Sequence, residues 1–190
     1  MDFSKFKTSD WLKIGGGAVM LIAGFLTWWQ PSCPSGEGSS ECDATIDALG
    51  LNINAFDLTF TGLFPWILLV AIGALTFLGV TGIFKLPSSM PWPTIFLGAA
   101  AFSALMIIIR LFADPFDTGL LGDATERGIG LYGAVVGGAL SLIGCVQGFT
   151  ESGGSLSDLK DMNKMKSQFG GGSSASPPPP PGMPPPPPPR

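Results

Sequence analysis

The side chains of this 190-residue chain that could do chemistry are few, and they lie far apart. Histidine is absent. Cys33 and Cys42 share one polar stretch, and in an oxidising compartment they form a disulfide whose short loop contributes roughly 2 to 3 kcal/mol in the chain-entropy model. The alternative is a pair of free thiols. Without imidazoles or further soft ligands these two cysteines do not complete a zinc shell, so no metal is called for. Cys145 falls inside an apolar run and reads as a small packing residue. Asp114, Asp117, Asp123 and Glu126 are close in sequence but lack the spacing and closing glutamate of a calcium loop. No nucleophile elbow, zinc-protease helix or phosphate loop occurs, and hydrolases that need histidine are excluded. The chain therefore reads as a non-enzyme that uses no cofactor.

Two features point to recognition instead. Arg110 is the single charge read near the depth of the apolar segments. It either snorkels toward Asp114 or Asp57, or contacts a lipid phosphate or substrate anion. The C-terminus runs Pro177, Pro178, Pro179, Pro180, Pro181, Gly182, Met183, Pro184, Pro185, Pro186 and on to Arg190. Such a run populates polyproline II, the preformed ligand of cytosolic proline-groove domains of the SH3, WW or EVH1 type. Its Pro-Pro-Gly-Met step resembles the ligands of GYF domains. A semi-rigid spacer is the other reading of the same residues.

These groups hang on apolar segments. Residues 11–30, 65–84, 93–113 and 128–149 are almost free of charge, and each has about the 20 residues that cross a bilayer core of some 30 Å. With 46% hydrophobic and only 13% charged residues, the chain lacks the polar surface to cover a soluble globule. The net charge of -4, with no clustered basic face, argues against a nucleic-acid partner. The fold class expected is an all-α membrane protein, a four-helix transmembrane bundle with a disordered polyproline tail.

Charge placement sets the expected topology. Lys5, Lys7 and Lys13 precede the first span, Lys85 follows the second, and Lys160, Lys164, Lys166 and Arg190 follow the fourth. Only Arg110 and Arg127 fall on the other side. The positive-inside rule then places both termini in the cytoplasm of a multi-pass cell-membrane protein. Residues 1–10 and 85–92 are cytoplasmic, and 31–64 and 114–127 lie outside. A cleaved signal peptide is the alternative for the first apolar run, but it has no A-x-A site and ends in Trp28 and Trp29, residues suited to an interfacial anchor.

Local signals refine this layout. Asp10, with Thr8 and Ser9, offers N-cap oxygens for the first span, Asp43 caps a short helix through Leu49, and Asp123 or Thr125 caps the fourth span. The alternation from Asn52 to Phe60 suggests an extended or membrane-skimming piece. Pro65 then starts the second helix, or that helix begins near Asp57 and kinks at Pro65. In 150–169, Ser155 to Asp158 resembles a capping box, and Leu156, Leu159, Met162, Met165 and Phe169 recur at helical spacing, an amphipathic helix for the inner leaflet. Residues 170–190 are the flexible linker and proline tail.

Inside the spans, Thr76, Thr81, Ser103, Ser141 and Gln147 can bond within their own or a neighbouring helix. No buried carboxylate is offered for proton coupling. Gly133, Gly137, Ser141, Gly144 and Gly148 form a small-residue pattern suited to close helix packing, either within the bundle or in a homo-oligomer. Gly15, Gly16, Gly17 and Ala18 give the first helix a similarly thin start.

In layout the chain resembles small actinobacterial four-span membrane proteins with proline-rich cytoplasmic tails, a resemblance that transfers no catalytic residue. Trp29, Cys33 and Cys42 also echo the cysteine spacing of the claudin first loop, but the Gly-Leu-Trp element and the basic residue between the cysteines are missing. The function expected is a non-enzymatic membrane scaffold or accessory protein, in contact with the lipid bilayer, that recruits a cytosolic polyproline-binding protein through its tail. The alternative is a small oligomeric pore or transporter component assembled through the glycine faces.

Overall fold

The computed structural model describes residues 6–32, 39–87, 90–113 and 125–155. Along the chain come α1 (Thr8–Ala23), β1 (Trp29–Pro31), α2 (Ser39–Ala48), a π-helical turn (Thr59–Leu63), α3 (Phe64–Val80), α4 (Trp92–Phe112), β2 (Thr125–Arg127) and α5 (Ile129–Glu151). Three helical segments, Thr59–Val80, Trp92–Phe112 and Ile129–Glu151, are long and apolar enough to cross a membrane. Their outward faces carry large apolar side chains, among them Ile67, Leu105, Ile108 and Val136, as a surface that meets lipid requires.

The first expected span is shorter than its apolar run. Residues 11–30 were expected to form one helix, but α1 ends at Ala23. At 16 residues it is about 24 Å long, less than the roughly 30 Å hydrocarbon thickness. Its last carbonyls explain the stop, because each finds a partner outside the helix. Ala23 O accepts from the buried Trp28 indole at 2.9 Å, and Gly24 O accepts from Ala55 N at 3.3 Å. The chain then turns, and Trp29 to Pro31 pairs antiparallel with Thr125 to Arg127. Ile53 bridges Trp29 from the other side, so the alternating Asn52 to Ala55 segment is extended where it meets the ribbon.

The second span begins before Pro65. Proline removes a hydrogen-bond donor, and its ring crowds the carbonyl four residues earlier. The chain answers with one wide turn: Leu63 N donates to Leu58 O at 2.9 Å, and Phe64 N donates to Thr59 O. This i→i+5 pattern carries the helix through the proline and places its start nearer Asp57 than Pro65. The helix stops at Val80, not Phe84, at a turn where Gly82 holds a φ of +76°. The third and fourth spans lie close to their expected limits. The cap of α5 is Gly128 and not Thr125, which belongs to β2; Asp123 lies outside the described residues. The short helix expected from Asp43 begins earlier, at Ser39. Asp10 sits at the third position of α1, where its carboxylate accepts from Lys7 N at 3.3 Å. Residues 156–190, which hold the expected amphipathic helix and the proline tail, lie outside the described residues, as does Cys33. Only the backbone of Cys42 is described, so the expected disulfide also falls outside them.

Helix packing is organised around α1. It lies against α5 on one side and α3 on the other, while α4 touches α5 and α3. Consecutive glycines serve different neighbours. A Cβ on Gly16 would strike Ser141 Oγ and approach Gly137 O and Ser141 N to 2.7 Å, whereas a Cβ on Gly17 would meet Gly73 Cα and Leu69 O of α3 at 3.0 Å. One on Gly15 would meet nothing within 4 Å.

Gly16→Ala is therefore expected to destabilise the chain by about 1–3 kcal/mol, because backbone atoms of α5 must give way. Gly15→Ala is expected to be neutral or to stabilise by up to about 1 kcal/mol through helix propensity. Denaturant unfolding in mild detergent, followed by tryptophan fluorescence, checks the contrast; equal effects at the two positions would show that the α1–α5 contact is not where the stability resides.

Candidate functional site

The small residues of α5 form one line facing α1. From one end to the other, Gly133 lies against Ala23, Gly137 against Gly16 O and Met20 N, Ser141 against Gly16, and Gly144 against Ser9 O and Lys13 N. The line ends at Gly148, where an added Cβ would sit 3.0 Å from Lys13 Nζ. Gly148 thus makes room for a charged group, a different task from the backbone contacts of the others.

Lys13 is the residue that sequence reasoning missed. Counted as a flanking lysine, it is buried between α1 and α5, its side chain only 11% exposed. Its ammonium lies 3.1 Å from Asp10 Oδ1 one helical turn away, and the Asp10 side chain is itself only 15% exposed. Lys13 is thus a second cation turned inward besides Arg110, and the carboxylate it pairs with is only partly buried. A signal was present: Ser9, Lys13, Gly16, Gly17, Met20 and Ala23 are the buried residues of α1, and their spacing traces one helical stripe that contains the lysine.

Polar contacts extend outward from this pair. The buried Ser9 hydroxyl donates to Glu151 Oε2 at 3.0 Å, and the same oxygen lies 3.5 Å from Lys7 Nζ. Beside Lys13, between α1, α3 and α4, opens a cavity of about 500 Å³. Asp10, Lys13 and Lys85 supply its charge, and Leu75, Val80, Phe84 and Phe96 much of its apolar wall. Thr76 is 6% exposed, and its Oγ1 is buried with no hydrogen-bond partner among the described residues. Thr81 and Ser103, by contrast, donate to carbonyls of their own helices, to Phe77 O and Ala99 O, both at 2.8 Å. A smaller cavity of about 110 Å³ lies behind Lys13 and touches Trp92, Gly148 and Cys145, the last buried as expected of a packing residue.

At the other end of the helices the arginines serve the backbone. Arg110 Nη1 donates to Ala113 O at 3.3 Å and Arg127 Nε to Leu111 O at 3.0 Å, both satisfying carbonyls around the end of α4. Asp57, one of the two expected partners of Arg110, instead accepts from Asn54 N at 2.9 Å. Asp114, the other, lies outside the described residues. The Arg127 guanidinium also stacks 5.6 Å from the centre of the Trp29 ring. Pro177 to Pro186, with Gly182 and Met183, lie outside the described residues. Among the described residues no three His, Cys, Asp or Glu side chains converge as a metal site.

What this arrangement can do chemically is hold charge. Lys13 and Lys85 exceed Asp10 by one positive charge at a partly dehydrated wall, where an electrostatic contact is stronger than in water. Comparison of the chain with protein-family models, with curated proteins and with solved structures finds no match.

Lys13→Met alone leaves the partly buried Asp10 carboxylate without its ion-pair partner, and is expected to cost about 1–3 kcal/mol. Asp10→Asn/Lys13→Met should recover most of that loss. A double-mutant cycle in detergent measures the coupling, and additive losses would mean that the two side chains do not act as a pair.

Proposed function

We propose that this chain is a non-enzymatic membrane scaffold or accessory protein: a self-contained transmembrane four-helix bundle in the cell membrane, with both termini in the cytoplasm, that recruits a cytosolic polyproline-binding protein through Pro177 to Arg190. The observation that carries this reading is that the glycine faces are filled from within the chain. Gly16 and Gly137, and Gly17 and Gly73, spend the close-approach surfaces on intramolecular contacts. An oligomeric pore assembled through those same faces would need them free for a second copy. The distribution of cations supports the orientation: Lys13 and Lys85 border one cavity at one end, while Arg110 and Arg127 serve carbonyls around the other end of α4.

The tail supplies the recruiting element. In sequence, a Gly/Ser-rich stretch leads into the proline run, so a partner captured by the run would be tethered to the membrane at raised effective concentration. Even a micromolar contact then suffices for recruitment.

Replacing residues 177–190 with a Gly/Ser sequence of equal length is expected to abolish the association of a stoichiometric cytosolic protein, while insertion and bundle stability stay as they were. Affinity purification from mild detergent compares the two tails. If the Gly/Ser version retains the same partners, the prolines are a spacer and the scaffold reading fails. Orientation has its own check: Ser40→Cys and Leu120→Cys should react with a membrane-impermeant reagent on intact cells, and Gly170→Cys only after permeabilisation. The reverse pattern would overturn the assigned topology.

A further inference from the structure

We propose that the cavity beside Lys13 binds the anionic head of an amphiphile, a carboxylate or phosphate group carrying an apolar chain. Size allows it, since about 500 Å³ falls within the roughly 300 to 1,000 Å³ typical of small-ligand sites. It suits a head group with the upper part of one chain. Charge favours it as well. The Asp10 carboxylate already accepts from Lys13 and from the Lys7 backbone N–H, so a cation would find its one acidic ligand engaged. An anion, in contrast, meets the exposed Lys85 together with the paired Lys13 at the same wall, where the cations exceed the carboxylate by one.

Phe84 and Phe96, with Val80, give the rest of the ligand an apolar lining. The cavity also lies where a bilayer changes from head groups to chains, because α1 and α4 begin beside it and α3 ends beside it. An amphiphile is the one ligand class that presents both chemistries in that order.

Gly79 gives a clean way to close the site. It borders the cavity, and a Cβ there meets nothing within 4 Å, so Gly79→Leu places a side chain in open space without straining the helix. The test uses the full chain in a non-ionic detergent, with native mass spectrometry after addition of oleate, phosphatidylglycerol or phosphatidylcholine. A single molecule of oleate or phosphatidylglycerol should be retained over phosphatidylcholine by roughly tenfold, and Asp10→Asn/Lys13→Met and Gly79→Leu should each remove that preference. Lys7→Gln, a cation outside the cavity, should leave it intact. Retention of oleate alone identifies a free fatty acid as the source, and retention of phosphatidylglycerol a lipid head group; either supports the site. Equal retention of all three amphiphiles, or an unchanged preference in Gly79→Leu, would overturn it. Should the lysine variant fail to fold, Gly79→Leu still decides the matter. The tail plays no part in this measurement, so its result is separate from that of the recruitment experiment.

Discussion

The contact between the backbones of α1 and α5 is the constraint on which the remaining structure depends. Helices in lipid gain nothing from burying apolar side chains against each other, because lipid tails are equally apolar, so association has to come from close packing and polar contacts. Gly16, Gly137 and Gly144 let the two chains approach until backbone atoms touch. Once α1 is fixed there, the next glycine in sequence, Gly17, faces Gly73 and fixes α3. Two adjacent residues without side chains thus orient one helix against two neighbours. This also explains how a helix shorter than the hydrocarbon thickness keeps its place in the bundle: six of its 16 residues are buried against its neighbours.

That arrangement makes the two ends of the molecule unlike. At the ribbon end, Trp28 is fully buried, its indole caps α1, and Gly130 accommodates it, so the packing closes over the helix ends. At the lysine end, among the described residues, nothing comparable closes the space between α1, α3 and α4. Burial of an ammonium is costly unless it is paired, and Asp10 provides the pair from one turn away. The stripe of α1 that supplies Gly16 and Gly17 for packing is the same stripe that carries Lys13 inward. Packing and charge burial are therefore consequences of a single helical register.

Much of this was legible in the residues, and the misses have physical causes. Length and apolarity marked the third and fourth apolar helices closely and the second with its limits shifted by about a turn, because a twenty-residue apolar run has few other solutions. Composition could not reveal that the first run breaks at Ala23, since Phe25 to Trp29 are as apolar as a span. The break is set by hydrogen bonds to Ala55 and Ile53, partners far along the chain. The glycine repeat of α5 was visible, but its choice between intramolecular and intermolecular use depends on α1, whose matching face had been read as a mere thin start. Lys13 was misplaced because a charge near the end of an apolar run was assigned to the flank by position, without asking which face of the helix it occupied. The cavity beside Lys13 left no trace in the sequence, since it arises from how three helices splay.

The antiparallel ribbon of Trp29 to Pro31 with Thr125 to Arg127 has a consequence for biogenesis. It joins the segment just after α1 to the segment just before α5, and the glycine contact of α1 is likewise made with α5. During synthesis the N-terminal helix emerges first but cannot complete its principal contact until α5 has been made. Contacts of such wide sequence separation form late, after the loop-closure entropy has been met. The chain is therefore a closure problem: α1 is first held by α3 through Gly17 and Gly73 and by the Ala55 and Ile53 backbone bonds, and α5, made later, locks both of its ends at once.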